Sequence, residues 1–177
     1  MQLSSQTLSR IDASTVQKPG AGTLSLPERI LQFGTGVLLR GLCDYYVNRA
    51  NSNGIFKGRI VVVKSTSAGD MACFARQDNL YTVCVRGLSK GAVVSENIIN
   101  SSISRVLSAA SDWQKGLELA GNPELNIIIS NTTEVGLQLT RESIHQHPPA
   151  SYPAKLLAFL YQRYKILGTS YNSKVVI

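Results

Sequence analysis

Two kinds of apolar pattern alternate along the chain. The first is the short unbroken run: Ile30-Leu31-Gln32-Phe33, Ile60-Val61-Val62-Val63 and Ile127-Ile128-Ile129. Runs of this length, β-branched and without polar alternation, mark strands buried on both faces, as parallel sheets require. The second pattern is the helical period. Val37, Leu38, Leu42, Tyr45, Tyr46 and Ala50 predict an amphipathic helix ending near Asn53-Gly54. Leu156, Leu157, Leu160, Tyr161 and Tyr164 predict another over 152–167, closed by Gly168. A shorter helix is expected over 112–120, with Ser111 as N-cap and Gly121-Asn122-Pro123 as its stop. Segments 80–86 and 92–95 flank a turn at 87–91 and read as an antiparallel pair. Residues 98–110 carry no single period, and 174–177 begin a last strand. Residues 1–26, rich in Ser, Thr, Gln and Gly, form an extension that is either loose or draped over the domain. Strands alternating with helices give an α/β fold over 27–177: a Rossmann-type, doubly wound, mainly parallel sheet with a small antiparallel insertion.

The junction between the first strand and the first helix carries the candidate chemistry. Gly34-Thr35-Gly36 follows Phe33 directly, and the helical pattern starts at Val37. Strand, tight glycine turn and helix is how a dinucleotide-binding βαβ unit opens. Gly34 can take the angles of a sharp turn, and Gly36, lacking a Cβ, lets a pyrophosphate approach the main chain. The main-chain N–H groups of Gly34, Thr35, Gly36, Val37 and Leu38, at the positive end of the helix, are the candidate phosphate donors. Phe33 leads into the turn, and Arg40 either adds charge to it or lies on the helix surface. The full G-x-G-x-x-G is not present, because its third position is Leu39 and Gly41 comes two places late. The two glycines alone would equally suit a tight turn that binds nothing; the strand over 60–63 completes the unit that the motif needs.

Two further positions bear on a dinucleotide. Asn131 and Thr132 follow the third apolar run, at the strand end where a doubly wound sheet places ligand contacts. They are candidates for the nicotinamide-ribose side, the alternative being polar capping of a strand end. The second strand ends in Lys64-Ser65-Thr66, where an NAD site usually has an Asp or Glu for the adenosine ribose. By charge alone Lys64 suits the 2′-phosphate of NADP; Asp70 is the nearby carboxylate that would serve NAD instead.

Composition narrows the class. With 177 residues, 44% apolar and 16% charged, the chain suffices for one globular domain with a core. No apolar run approaches a membrane span, and the N-terminus lacks the apolar centre of a signal peptide. The net charge of +7 comes from scattered Lys and Arg without interleaved aromatics, so an anionic small ligand or a basic surface is expected rather than nucleic acid. Cys43, Cys73 and Cys84 are odd in number, with no C-x-x-C, which indicates reduced thiols in a cytoplasmic protein. His145 and His147 stand in a polar loop without further ligands, so no metal site is expected.

Ile30-Leu31-Gln32-Phe33-Gly34-x-Gly36 followed by Leu39-Arg40 resembles the cofactor segment of the mannitol dehydrogenase family, the polyol-specific long-chain dehydrogenases. Val61-Val62-Val63-Lys64, Gln77-Asp78-x-Leu80-Tyr81-Thr82 and Ser130-Asn131-Thr132-Thr133-Glu134-x-Gly136 extend the likeness over roughly 27–177. The last of these, paired with Ser151-Tyr152-Pro153-Ala154-Lys155-Leu156, is similar to the tagaturonate reductase (altronate oxidoreductase) branch. Val37-Leu38-Leu39-Arg40 departs from the Asn-Phe-His-Arg run usual in mannitol-type members. The resemblance implies an N-terminal NAD domain and hydride transfer between NADH and a keto sugar acid, tagaturonate to altronate. It also implies a mainly helical C-terminal domain that supplies a catalytic lysine with supporting Asn and His. Those positions fall beyond Ile177, so a truncated chain is expected and no catalytic residue is assigned. A fructuronate or polyol reductase, or a non-catalytic nucleotide-binding module, are the alternatives.

Overall fold

Parallel strands cannot be joined by tight hairpins, so each needs a crossover, and both faces of the resulting sheet must be covered. The structure, a computed structural model, describes residues 2–65, 71–138, 141–169 and 171–177. Its elements in chain order are β1 (Glu28–Phe33), α1 (Val37–Gly41), α2 (Cys43–Ser52), β2 (Arg59–Lys64), α3 (Ala72–Arg76), β3 (Tyr81–Ser89), β4 (Ala92–Asn100), β5 (Ile103–Ser108), α4 (Trp113–Glu118), β6 (Ile127–Ser130), α5 (Tyr152–Leu167) and β7 (Lys174–Val176). Five strands form one parallel sheet in the order β5-β2-β1-β6-β7, and β3 and β4 form a separate antiparallel pair. This is the α/β architecture read from the sequence.

The unbroken apolar runs are explained by two cores. Leu31, Phe33, Val61, Val63 and Ile128 face one side, against Trp113 and Leu117 of α4 and Ala158 and Phe159 of α5. Ile30, Ile60, Val62 and Ile103 face the other, with Val47 of α2, Phe74 of α3 and Tyr81 of β3 packed on them. Successive residues of β2 thus enter opposite cores, and all six are buried. The segment 98–110 without a single period holds the end of β4 and all of β5, in which Ile103 and Leu107 are buried while Arg105 is exposed at the sheet edge.

The first predicted helix is corrected in two ways. It breaks at Leu42 (φ −116°, ψ −75°), giving helices of 5 and 10 residues. Its expected core face points outward, with Val37 75%, Leu38 60% and Tyr46 61% exposed, while Asp44, Asn48 and Asn51 are buried. The reason lies in the loops beneath, whose buried backbone groups need partners. Asn51 accepts from Gly58 N (3.0 Å) and donates to the Gly58 carbonyl (2.8 Å). Asn48 Oδ1 accepts from Ser101 N at 3.0 Å.

The second predicted helix has the expected bounds; Leu156 and Leu160 of its expected stripe pack on the core, and the rest of the stripe is turned outward. Ser151 caps it by accepting from Ala154 N at 3.2 Å. Its buried residues are Ala154, Lys155, Ala158, Phe159 and Arg163, whereas Leu157, Tyr161 and Tyr164 are exposed. Arg163 donates to the carbonyls of Ala120 and Asn122, both at 3.0 Å, and to that of Leu125, tying the segment before β6 to α5. The N-cap of α4 is Asp112 rather than Ser111, with its carboxylate accepting from Ser108 N (3.2 Å) and Lys115 Nζ (2.8 Å). The N-terminal extension is draped, not loose: Gln17 N donates to Asn97 O (2.8 Å), Ile99 N donates to Gln17 O (2.9 Å), and Arg59 Nη1 donates to Leu24 O (2.7 Å). Among the described residues no helix is long and apolar enough to cross a membrane.

Asn51→Ala leaves both polar groups of Gly58 without a partner, so it is expected to destabilise the fold by about 2–3 kcal/mol. Urea denaturation measures this; a midpoint within error of wild type would show that water replaces Asn51 at no cost.

Candidate functional site

The sheet reverses direction at β1. From there the chain builds outward through β2 to β5, then returns to lay β6 on the other side of β1. Phe33 is level with Ser130, so the carboxyl ends of β1 and β6 stand side by side. The crevice beyond such a reversal is where open α/β sheets bind ligands.

The glycine turn fills the β1 side of this crevice. Gly34 has φ +112°, a conformation that side-chain-bearing residues rarely take. Its N–H donates to the Val63 carbonyl at 2.9 Å. Gly34 therefore shapes the turn and is not a phosphate donor, which corrects one of the five expected main-chain donors. The N–H groups of Thr35, Gly36, Val37 and Leu38 have no partner among the described residues. Gly36 has ordinary angles (φ −62°), so its value is space: among the described residues a Cβ there would meet only Asn131 Nδ2 within 4 Å, at 3.8 Å. A Cβ on Gly34 would come within 3.7 Å of Asn131 Oδ1. Asn131, the first residue past β6, thus stands over the turn with its amide facing both glycines.

Arg40 closes one flank. Its Nε donates to the Thr35 carbonyl (3.1 Å), and its guanidinium lies 5.7 Å from the Phe74 ring centre and 5.9 Å from that of Tyr81. Its terminal nitrogens have no hydrogen-bond partner among the described residues, and a shallow cavity of about 200 Å³ beside it is lined by Val37, Gly41, Tyr81, Thr82 and Val83. The other expected site residues divide. Thr132 Oγ1 and Ser130 Oγ are 2.6 Å apart at the end of β6. Phe33 is a core residue, 3% exposed, with its ring edge-on to Tyr152 at 5.5 Å. Lys64 is 8% exposed, on the same face of β2 as Val62, and so does not point into solvent. Thr66 and Asp70 lie outside the described residues.

Behind the turn is a polar cluster that the sequence patterns did not disclose. Gln32, wholly buried in β1, donates through Nε2 to the Gly34 carbonyl at 3.2 Å. Asp44, wholly buried in α2, accepts from the Tyr81 hydroxyl at 3.3 Å, and that hydroxyl also lies 3.0 Å from the Arg40 carbonyl. Burial pushes the Asp44 carboxyl up to about 7, opposed by hydrogen bonding to Gln32 and Tyr81 and least by the charge of Arg40. Burial, then the neighbouring Asp44, raises the Tyr81 phenol far above its ordinary range. The available signal was a glutamine inside an otherwise apolar strand, a place where a polar side chain needs a structural reason.

Models of known protein families give no match to the chain. Among curated proteins it is 41% identical over 154 residues to the altronate oxidoreductase of Halalkalibacterium halodurans, covering 86% of this chain and 30% of the relative. It is 39% identical over 140 residues to that of Bacillus subtilis (78% and 29%) and 38% identical over 149 residues to that of Klebsiella pneumoniae (83% and 30%). Among solved structures it superposes on Pseudomonas fluorescens mannitol 2-dehydrogenase, a ternary complex with NAD and D-mannitol, with TM-score 0.81 at 23% identity, covering 99% of this chain and 38% of that one. A substrate-free D-sorbitol dehydrogenase gives TM-score 0.78 at 20% identity with the same coverage. These two share its fold. The chain spans 30% or slightly less of the length of the curated relatives it matches.

The raised Asp44 fixes the sign of a pH effect. The folded state keeps a proton to about 7 that the unfolded chain releases near the usual 3.8. Stability from this group is fully present below about pH 4 and is lost as pH rises through 7, by up to about 4 kcal/mol. Asp44→Asn carries no such proton, so its stability relative to wild type should climb steadily over that window. Parallel denaturation curves of the two proteins at pH 5, 6, 7 and 8 would disprove this by staying a constant distance apart.

Proposed function

We propose that this chain, a homologue of the altronate oxidoreductases over most of its length, binds NAD in the crevice between β1 and β6 as part of an oxidoreductase acting on a keto sugar acid. The observation that carries the reading is the glycine turn at the sheet's reversal point, with four consecutive N–H groups that have no partner among the described residues and Asn131 across from them. Those donors fit a pyrophosphate, and the Gly36 position leaves room for it at the main chain. The terminal nitrogens of Arg40 add a positive charge at the flank. Because α1 has only 5 residues before the break at Leu42, the donors themselves, rather than a long helix dipole, supply the attraction. Asn131 and Thr132 take the nicotinamide-ribose side. Bound NAD would supply hydride exchange at the nicotinamide ring; the chain's own residues hold and orient it.

The substrate proposed is tagaturonate, reduced to altronate, on the strength of the curated relatives' names. Fructuronate and polyols are the competing substrates within the same chemistry, and the proposed remainder of the enzyme is a substrate domain of the kind that the longer relatives have length for. For the cofactor we propose NADH over NADPH, because Lys64 is buried and not presented to solvent.

Titration of the protein with NADH, followed by nucleotide fluorescence, should show saturable binding, with no reduction of tagaturonate by this chain alone. Gly36→Val should weaken NADH binding at least tenfold, about 1.4 kcal/mol, with an unchanged circular dichroism spectrum. Equal affinity in the variant would leave the turn a purely structural one. NADPH binding as tightly as NADH, with that affinity lost in Lys64→Ala, would reverse the cofactor assignment.

A further inference from the structure

The loop that follows β6 closes tightly on one side chain. Residues Glu134–Leu137 form a single 3₁₀ turn, in which Gly136 N donates to the Thr133 carbonyl at 2.8 Å. Gly136 does not have a positive φ, so its backbone angles do not call for glycine. Space does. A Cβ on Gly136 would be driven into Thr132 Cγ2, far inside contact distance. The next nearest atoms among the described residues, Thr132 Cβ and Thr133 Oγ1, would lie at an ordinary 3.8 and 3.9 Å. The missing side chain therefore makes room for one methyl group.

Thr132 carries that methyl on the same carbon as its hydroxyl. Its Oγ1 is 2.6 Å from Ser130 Oγ, and its backbone N–H donates to Ser130 Oγ at 3.2 Å. The side chain has three staggered positions about χ1. With a Cβ at position 136, the present one is blocked by the methyl. One alternative sets Oγ1 against the new Cβ. The other clears the Cβ but brings the methyl to the place that Oγ1 holds beside Ser130. Either way the bond between the two hydroxyls is lost. That bond uses one of their two hydrogens, so the pair keeps one to offer to a ligand oxygen. Ser130 is 5% exposed and Thr132 is half-buried, so Thr132 is the more accessible member at the end of β6.

We propose that Gly136 is a positioning residue for the crevice: by admitting the Thr132 methyl, it lets that side chain hold the one rotamer that keeps its hydroxyl on Ser130. Gly136 need not touch a ligand to do this. It acts through Thr132, on the nicotinamide-ribose side of the site. That the ligand is NAD rests on the function proposed above; the hold on the Thr132 rotamer does not.

Three-bond NMR couplings from the Thr132 methyl carbon to its backbone nitrogen and carbonyl carbon report χ1 without a ligand. Wild type should show a single rotamer, and Gly136→Ala a different one. Averaging over rotamers in wild type, or unchanged couplings in Gly136→Ala, overturns the proposal. Binding forms the second arm, with NADH and with ADP, which has the pyrophosphate but no nicotinamide ribose. Gly136→Ala should weaken NADH roughly tenfold and leave ADP within roughly twofold. In a Thr132→Ser background, which has no methyl to displace, the same change should cost NADH roughly twofold or less. NADH binding unchanged by Gly136→Ala, equal losses for NADH and ADP, or a loss that persists in the Thr132→Ser background overturns the proposal. A wild type that binds neither nucleotide, with the rotamer change present, sustains the hold on Thr132 and removes the NAD reading instead.

Discussion

Both hydrogen-bonding edges of β1 are occupied, by β2 on one side and β6 on the other, and everything at the candidate site follows from the register of those two pairings. Gln32 lies level with Val62 and Ile129, and Phe33 with Val63 and Ser130. The chain must leave the sheet at residue 34, where its N–H still reaches the Val63 carbonyl, and it must turn there at a positive φ. A one-residue slip on either side would exchange the two cores, because side chains alternate between faces. It would also move Asn131 away from the glycines. The register is thus held by two apolar cores, and the position of the turn is a by-product of holding them.

What the sequence disclosed and what it hid divide along the same line. Strands buried on both faces announce themselves by unbroken runs, so β1, β2 and β6 and their parallel arrangement were legible, as was the glycine turn between β1 and α1. The bounds of α5 were legible because Ser151 and Gly168 mark its ends. The buried faces of α2 and α5 were not. Periodicity assigns the apolar stripe to the core, but Asn48, Asn51 and Arg163 face inward because loop backbone groups beneath them would otherwise be unpaired. A pattern of apolar positions carries no information about where backbone carbonyls end up. For the same reason Asn131 could be suspected from its place after a strand, whereas Asp44 and Tyr81, on separate elements 37 residues apart, could not be paired.

The inversion of the first helical segment links the site to the surface around it. Short α1, of 5 residues, adds little to fixing the turn, which is braced by contacts from behind. Gln32, Asp44 and the Arg40 carbonyl with Tyr81 provide them, and they occupy the side of α1 and α2 that an apolar stripe would otherwise take. Val37, Leu38, Leu42 and Tyr46 are then left on the outside. Exposed apolar side chains are unfavourable in water, and here they accompany the burial of polar groups on the opposite side of the helices. The exposed apolar side chains on the outer face and the raised Asp44 carboxyl on the inner face go together: both follow from burying polar rather than apolar groups beneath α1 and α2.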